Sequence, residues 1–488
     1  MAATDLLIVR PGNQKSLYGD LSARKLTGIE PPLWAAMLAA YIRHHGFRVE
    51  ILDAEVMHWS HAETAEKIKA INPRLVQVAV SGTNPSASTW NMTGAGILIR
   101  HLKTVAPELT TVLSGLHPSA LPERTLNDEA VDYICQGEGF HTIQGLLQTA
   151  QTDASALAKV PGLWYRQDGH VVSTPRAPLI KNLDDLPMPA WDLLPMEDYR
   201  AHNWHCLGGK YDRQPYGIIY TSLGCPFNCS FCCINSFFGK NMIRFRSPEK
   251  VVEEIQFLVS SYGIKNIRII DEMFVLRPSH VMKLCDLIIS RGFDLNMWVY
   301  ARVDTVTPDM LKKMKQAGIN WICYGFESAN QDVLDGVRKG YEKTDVYEAV
   351  RMTRAAGIHI LANYMFGLPD DDHKTMQETL DQAKELNCEF ANFYCCMAYP
   401  GSKLYDEAVA RGVRLPDSWD GYSQLSYETL PLPTKHLAPA EVLRFRDHAF
   451  KEYFSNPAYL AMIEKTFGSQ ALNEIRNMLE GEIKRKHA

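Results

Sequence analysis

A chain of 488 residues, 46% hydrophobic and 22% charged, is long enough for two or three domains at roughly 150 residues each. Its formal charge of −5 leaves no basic footprint for nucleic acid, and no run of about 18 apolar residues marks a membrane span. The 11 cysteines are odd in number, and all but four are scattered; that is no disulfide framework, so a reducing, cytoplasmic setting is expected.

In chain order, the start "MAATDLLIVRPG" lacks a basic leader and is predicted to be a buried strand rather than a signal peptide. "PPLWAAMLAAYIRHHG" is a helix with proline at its start and glycine at its end. "FRVEILDAE" and "LVQVAVSGTN" are the next strands, "ASTWNMTGAGILIRHLKTVAP" a helix, "LTTVLSGLHP" and "VDYICQGEGF" two further strands. Strands alternating with helices predict right-handed βαβ units and a doubly wound, Rossmann-like parallel sheet. Ligands of such sheets sit beyond the strand C-termini. Small and polar residues collect there: Gly12 and Asn13, Ser81 to Asn84, Ser114 to Pro118, Gly137 to Gly139. The first strand is followed by Arg10-Pro11-Gly12-Asn13-Gln14 rather than G-x-G-x-x-G, so a dinucleotide site is not expected. "APLIKNLDDLPMPAWDLLP" then carries prolines at 178, 187, 189 and 195. It is too proline-rich for one helix and too apolar for a free linker, and is expected to be a packed strap.

From Gly217 the alternation restarts with "GIIYTSL", "NIRII", "NMWVYA", "WICYGF", "LANYMFG" and "FANFYCCM" as strands. Six βα units predict a partial barrel whose working residues lie at strand C-terminal ends. "GCPFNCSFCC" follows the first of these strands and holds Cys225, Cys229, Cys232 and Cys233. A zinc site normally needs a second, distant pair of ligands, and a bacterial ferredoxin needs C-x2-C-x2-C-x3-C-P; neither pattern is met. Later, Cys395 and Cys396 are adjacent on a predicted strand, so only one of them faces the barrel interior. The chain ends in helices expected to cover the open side of the barrel, with "KRKH" expected as a solvated helix terminus.

The spacing Cys225-x3-Cys229-x2-Cys232, with Phe231 before the last cysteine, resembles the radical S-adenosylmethionine signature. "SGLHPSALPERTL" and "VDYICQGEGF" resemble the cobalamin-binding domain fused to such enzymes. The resemblance implies four segments: a cobalamin-binding domain over residues 1–147, a strap over 148–214, a partial (β/α)6 barrel over 215–412, and a small helical cap over 413–488. It implies a [4Fe–4S] cluster on Cys225, Cys229 and Cys232, with the fourth iron open to S-adenosylmethionine and Cys233 a neighbour rather than a ligand. For S-adenosylmethionine it implies Asp271 or Glu272 ("DEMF"), Arg302 ("YARVD"), and Glu327 with Ser328 ("YGFES"). Each carboxylate alone is equally a helix cap; their recurrence at successive strand ends carries the expectation. For cobalamin it implies Ser81, Thr83, Asn84, Ser114, Gly115, His117, Gly137 and Glu138. A loop role for His117 and turn capping for Glu138 stand beside that assignment. The D-x-H-x-x-G cobalt-ligating motif is absent. "FGLPDDD" and "AYPGSKLY" resemble two further turns of the superfamily, with Asp370 and Ser402 at departures from the usual residues.

The implied activity is methyl transfer from S-adenosylmethionine through methylcobalamin to an unactivated carbon or phosphorus of a small molecule. A 5′-deoxyadenosyl radical abstracts hydrogen, and a flavodoxin- or ferredoxin-type donor supplies electrons. The alternatives are a cobalamin-dependent cyclase or oxidoreductase without methyl transfer, and a cobalamin sensor without a cluster. No catalytic acid or base is singled out.

Overall fold

The structure, a computed structural model, describes residues 4–12, 27–82, 87–149 and 153–488. Thr83 and Asn84, as well as Asn13, lie outside the described residues.

The first sheet contains β1 (Leu6–Arg10), β2 (Val49–Asp53), β3 (Leu75–Val80), β4 (Thr111–Gly115), β5 (Tyr133–Cys135), β6 (Leu163–Gln167) and β7 (His170–Ser173). Its order is β2-β1-β3-β4-β5-β6-β7. β1 to β5 run parallel, and the order reverses between β1 and β3, the place where such sheets bind ligands. Side chains alternate across the sheet: Leu6 and Ile8 join the core under the helix Leu33–His44, Leu7 and Val9 the core under the helix Ala87–Val105. The sheet does not stop where the implied strap begins: β6 and β7 add antiparallel to its edge.

The second sheet starts at β8 (Tyr216–Ile219); a two-stranded ribbon of β9 (Ser222–Leu223) and β10 (Arg244–Phe245) stands beside it. β11 (Asn266–Ile269), β12 (Asn296–Ala301), β13 (Ile319–Glu327), β14 (His359–Phe366) and β15 (Phe390–Cys395) follow. The order β15-β14-β13-β12-β11-β8 is sequential and all parallel. β8 and β15 do not pair, so the barrel is open on that side. The helices between strands begin and stop on local signals. Pro248 opens one behind the Ser247 cap and Gly263 ends it; Pro278 and Gly292 do the same for the next. Helix Pro439–Phe454 then covers the edge strand, Arg446 Nε donating to Phe393 O at 2.8 Å.

Two buried ion pairs lock the sheets together. Arg268 on β11 meets Glu30 at 2.7 Å, and Arg244 on β10 meets Glu138 at 2.6 Å. Residues 177–199 pack against the first sheet and its helix, with Trp191 fully buried and Tyr199 donating to Asp53 at 2.7 Å.

Candidate active site

The cysteine loop turns back over the strand ends. Gly224 starts the turn at φ +95°, where a side chain would collide with the Met242 carbonyl. The loop is braced from three sides: Asn235 donates to Phe227 O at 2.8 Å, Ser230 N to Val337 O at 3.0 Å, and Leu404 N to Ser230 O at 3.0 Å. Cys225 and Cys229 are half-buried and Cys233 is buried. Cys232 is deep in the fold yet exposed, because the surface it shows is cavity wall. Burial pushes the Cys225 thiol up to about 11. Burial raises Cys232 as well, and its neighbours Cys233, Cys225 and Cys229 add to this, so these thiols lie close enough to feel one another. Among the described residues no three His, Cys, Asp or Glu side chains converge where a single ion would sit. A cubane does not ask for that convergence, since its thiolates bind different iron corners.

Of the paired carboxylates on "DEMF", only one reaches the cavity. Asp271 is fully buried and accepts from Thr221 N (2.7 Å), Thr221 Oγ1 (2.5 Å) and Ser222 Oγ (2.6 Å); its oxygens staple the β8–β9 corner. Glu272 accepts from Gly224 N at 3.3 Å and lines the cavity, and burial lifts its pKa to about 7. Arg302 spends its fork on Asp304 at 3.0 Å twice, and lies 3.9 Å from the Phe227 ring centroid. It props the cysteine loop and is absent from the cavity wall. Ser328 is fully buried, accepts from Asn330 N at 3.2 Å and lies 3.3 Å from the Thr379 hydroxyl, again away from the cavity.

Glu327 is different. The β13–β14 register shifts between Gly325 and Glu327, and Glu327 adopts φ +55°. Such an irregularity re-aims a side chain, and a left-handed non-glycine residue carries strain. The carboxylate is thereby held 2.5 Å from Lys339 Nζ, and both side chains are buried. A side chain at Gly325 would strike both charged groups. Burial opposes the Lys339 charge, but Glu327, with Cys229 adding, outweighs it and the pKa rises.

One cavity of about 380 Å³ joins these parts. The wall from the first sheet is Ser81, Ser114 and Gly115; the barrel side brings Phe231, Cys232, Glu272 and Glu327. Gly115, at φ +131°, lets β4 pass against the Val80 carbonyl, where a side chain would clash. Ser114 accepts from Gln77 Nε2 at 2.6 Å. His117 is not on this wall. It is fully buried beneath Trp419, ring centroids 4.3 Å apart, and its Nδ1 lies 3.3 Å from Thr89 Oγ1. Glu138 is spent on Arg244 and on Ile180 N at 2.9 Å, and Gly137 N on Ser119 Oγ at 2.9 Å. Of the two adjacent cysteines, Cys395 faces the cavity and Cys396 the outer core.

Residues 219–383 match the Radical SAM superfamily, and residues 20–147 match the B12 binding domain. The chain is a radical S-adenosylmethionine enzyme with a B12-binding domain. Its cofactors are a [4Fe–4S] cluster, S-adenosylmethionine and cobalamin. The enzyme is 29% identical over 462 residues to an uncharacterized methyltransferase of Pyrococcus horikoshii, covering 94% of each chain. It is 28% identical over 446 residues to the anaerobic magnesium-protoporphyrin IX monomethyl ester cyclase of Cereibacter sphaeroides, covering 89% of this chain and 68% of that one. The fold is similar to that of TsrM, a radical S-adenosylmethionine methyltransferase from Kitasatospora setae, at TM-score 0.66 and 18% identity over 98% and 99% of the two chains. No helix among the described residues is long and apolar enough to cross a membrane.

The donors present fit the cluster and S-adenosylmethionine. Three cysteines on one braced loop offer soft thiolates of the kind iron–sulfur clusters take. Glu327, held by Lys339, presents a carboxylate to the cavity that complements the ammonium of an amino acid. Lys339 was missed in the sequence, where it stands 12 residues from its partner without a helical or strand period linking them. Arg268 was missed for the same reason. It reaches the cavity from β11, donates to Tyr300 at 2.9 Å, and is neutralised by Glu30, 238 residues away in the chain.

Proposed function

We propose that this enzyme moves a methyl group from S-adenosylmethionine, by way of cobalamin, to an unactivated carbon or phosphorus of a small-molecule substrate. The observation that carries the reading is one cavity bounded at once by Ser81, Ser114 and Gly115 of the B12-binding domain and by Phe231, Cys232 and Glu327 of the barrel. When bound, the cluster supplies the electron that cleaves S-adenosylmethionine, and cobalamin carries the methyl group. The residues of this chain bind, orient and exclude water. Cys225, Cys229 and Cys232 would hold the cluster. Glu327, on the cavity wall, accepts from the amino group of S-adenosylmethionine, and Lys339 behind it holds the Glu327 carboxylate in place. Glu272 lies on the same wall as a further acceptor. Ser81, Ser114 and Gly115 border cobalamin, with Thr83 and Asn84 in the same expected loop. Trp34, Trp90, Phe237 and Tyr399 supply apolar walls, which keep water from a reactive intermediate. An external flavodoxin- or ferredoxin-type protein delivers the electron.

The named methyltransferase relative supports methyl transfer, and the cyclase relative favours a second reading, ring-forming oxidation in the same cavity. Product analysis separates the two. Methyl transfer yields S-adenosylhomocysteine together with 5′-deoxyadenosine; the second reading yields deoxyadenosine without S-adenosylhomocysteine.

A further inference from the structure

The "KRKH" segment is not a solvated helix end. The last helix, Ser469–Leu479, stops short of it, and the Arg485 side chain is only 4% exposed. Its Nε and Nη2 donate to the Asp447 carboxylate, both at 2.9 Å. The same guanidinium gathers three groups of one loop: Gln424 O at 2.9 Å, Ser426 O at 3.2 Å and Thr429 Oγ1 at 2.9 Å. Asp447 also takes Arg446 at 2.8 Å, whose Nε holds β15.

That loop is a cavity wall at one end and a domain bridge at the other. Gln424 lines the cavity, accepts from Cys395 N at 2.8 Å and donates to Cys395 O at 3.0 Å. β15 is an edge strand, so Gln424 occupies backbone groups that would otherwise be open on the unpaired side of the barrel. A few residues earlier, Trp419 covers His117 of the B12-binding domain, and the Arg124 guanidinium lies 4.7 Å from its ring.

We propose that Arg485 is a positioning residue of the reaction chamber. It latches residues 419–429 so that Gln424 seals the barrel edge while Trp419 holds the B12-binding domain at a fixed distance from the cysteine loop. The inference rests on the reading of this cavity as the site where cobalamin and the cluster meet. The planar fork matters, because one guanidinium satisfies a carboxylate and three loop acceptors together. An ammonium has no such geometry.

The test uses the full chain with Arg485→Ala, Arg485→Lys and, as a control, Lys484→Ala at the exposed neighbouring position. Amide exchange over residues 419–430 and the affinity for aquocobalamin are read first, without turnover. Deoxyadenosine formation from S-adenosylmethionine at saturating aquocobalamin is read second. Arg485→Ala is expected to speed exchange of the loop and weaken aquocobalamin by about tenfold, because binding must then order the loop that Arg485 no longer holds. Exchange in the helix Pro439–Phe454 stays slow, and deoxyadenosine formation falls much less than cobalamin affinity. A general loss of structure would lower both together. Arg485→Lys recovers less than about half of the effect on a logarithmic scale, and carries the test should Arg485→Ala not fold. Unchanged loop exchange and cobalamin affinity in Arg485→Ala, or full recovery by lysine, overturns the latch. Absence of deoxyadenosine from the unmodified enzyme would instead count against the proposed function and leave the exchange result standing.

Discussion

Replacing Glu138 tests the seam between the two sheets. Its Oε1 meets Arg244 at 2.6 Å with side chains 4% and 6% exposed, and its Oε2 accepts from Ile180 N at 2.9 Å. Three segments therefore meet at one carboxylate: the end of β5, the strap, and β10. Glu138→Ala leaves a buried guanidinium without its counter-charge, at a cost of about 3–5 kcal/mol. The freed Ile180 amide adds within that range, since an unmade buried hydrogen bond costs about 1–3 kcal/mol. Arg244 keeps part of its environment, donating to Ile180 O at 2.6 Å and lying 5.3 Å from the Phe238 ring centroid. Removing both charges with Glu138→Leu and Arg244→Met removes the uncompensated ion, so the double variant is expected to lose only about 1–3 kcal/mol. The assay is urea unfolding of the apo protein, followed by both tryptophan fluorescence and circular dichroism so that a shared transition can be verified. A double variant that loses as much as the sum of its single variants would refute the coupling.

Cys225, Cys229 or Cys232→Ala is expected to abolish deoxyadenosine formation and lower bound iron, whereas Cys233→Ala retains the iron content; metal analysis with product chromatography checks both. Lys339→Met should raise the S-adenosylmethionine dissociation constant about 10- to 100-fold, because it removes the charge-assisted bond that holds Glu327 in place, with the cluster absorbance retained; calorimetric titration reads it. His117 is held near pKa 3 by burial, with the Arg124 charge adding, against an ordinary value of 6.5. Its folded pKa is depressed, so the unfolded chain binds the extra proton first. The associated stability is present above about pH 6.5 and is lost as pH falls towards 3. By about pH 4.5 roughly 2–3 kcal/mol is gone, and His117→Gln should remove that much of the pH dependence of the unfolding free energy obtained from urea titrations.

What was legible in the sequence was local. The cysteine spacing lies within ten residues, and the strands declare themselves by apolar runs between helix caps. Even the opposite facing of Cys395 and Cys396 follows from the strand repeat. Residue chemistry at strand ends was harder to assign, because a carboxylate there serves equally as ligand or staple. Asp271 and Glu272 are neighbours in sequence, yet one holds the β8–β9 corner and the other the cavity. Arg302 finds Asp304 two residues on, a partner visible in the sequence but not decisive without its geometry. Pairs such as Glu30 with Arg268, Glu138 with Arg244, and Arg485 with Asp447 have no period at all. They exist only once the two sheets and the final helices are packed.

The central claim is most directly tested by turnover of the anaerobically reconstituted enzyme with S-adenosylmethionine bearing a deuterated methyl group, in extracts that contain candidate substrates. The expected result is a product that carries the labelled methyl group, formed together with S-adenosylhomocysteine and 5′-deoxyadenosine. Steady deoxyadenosine formation with the label in no product and no S-adenosylhomocysteine would contradict it.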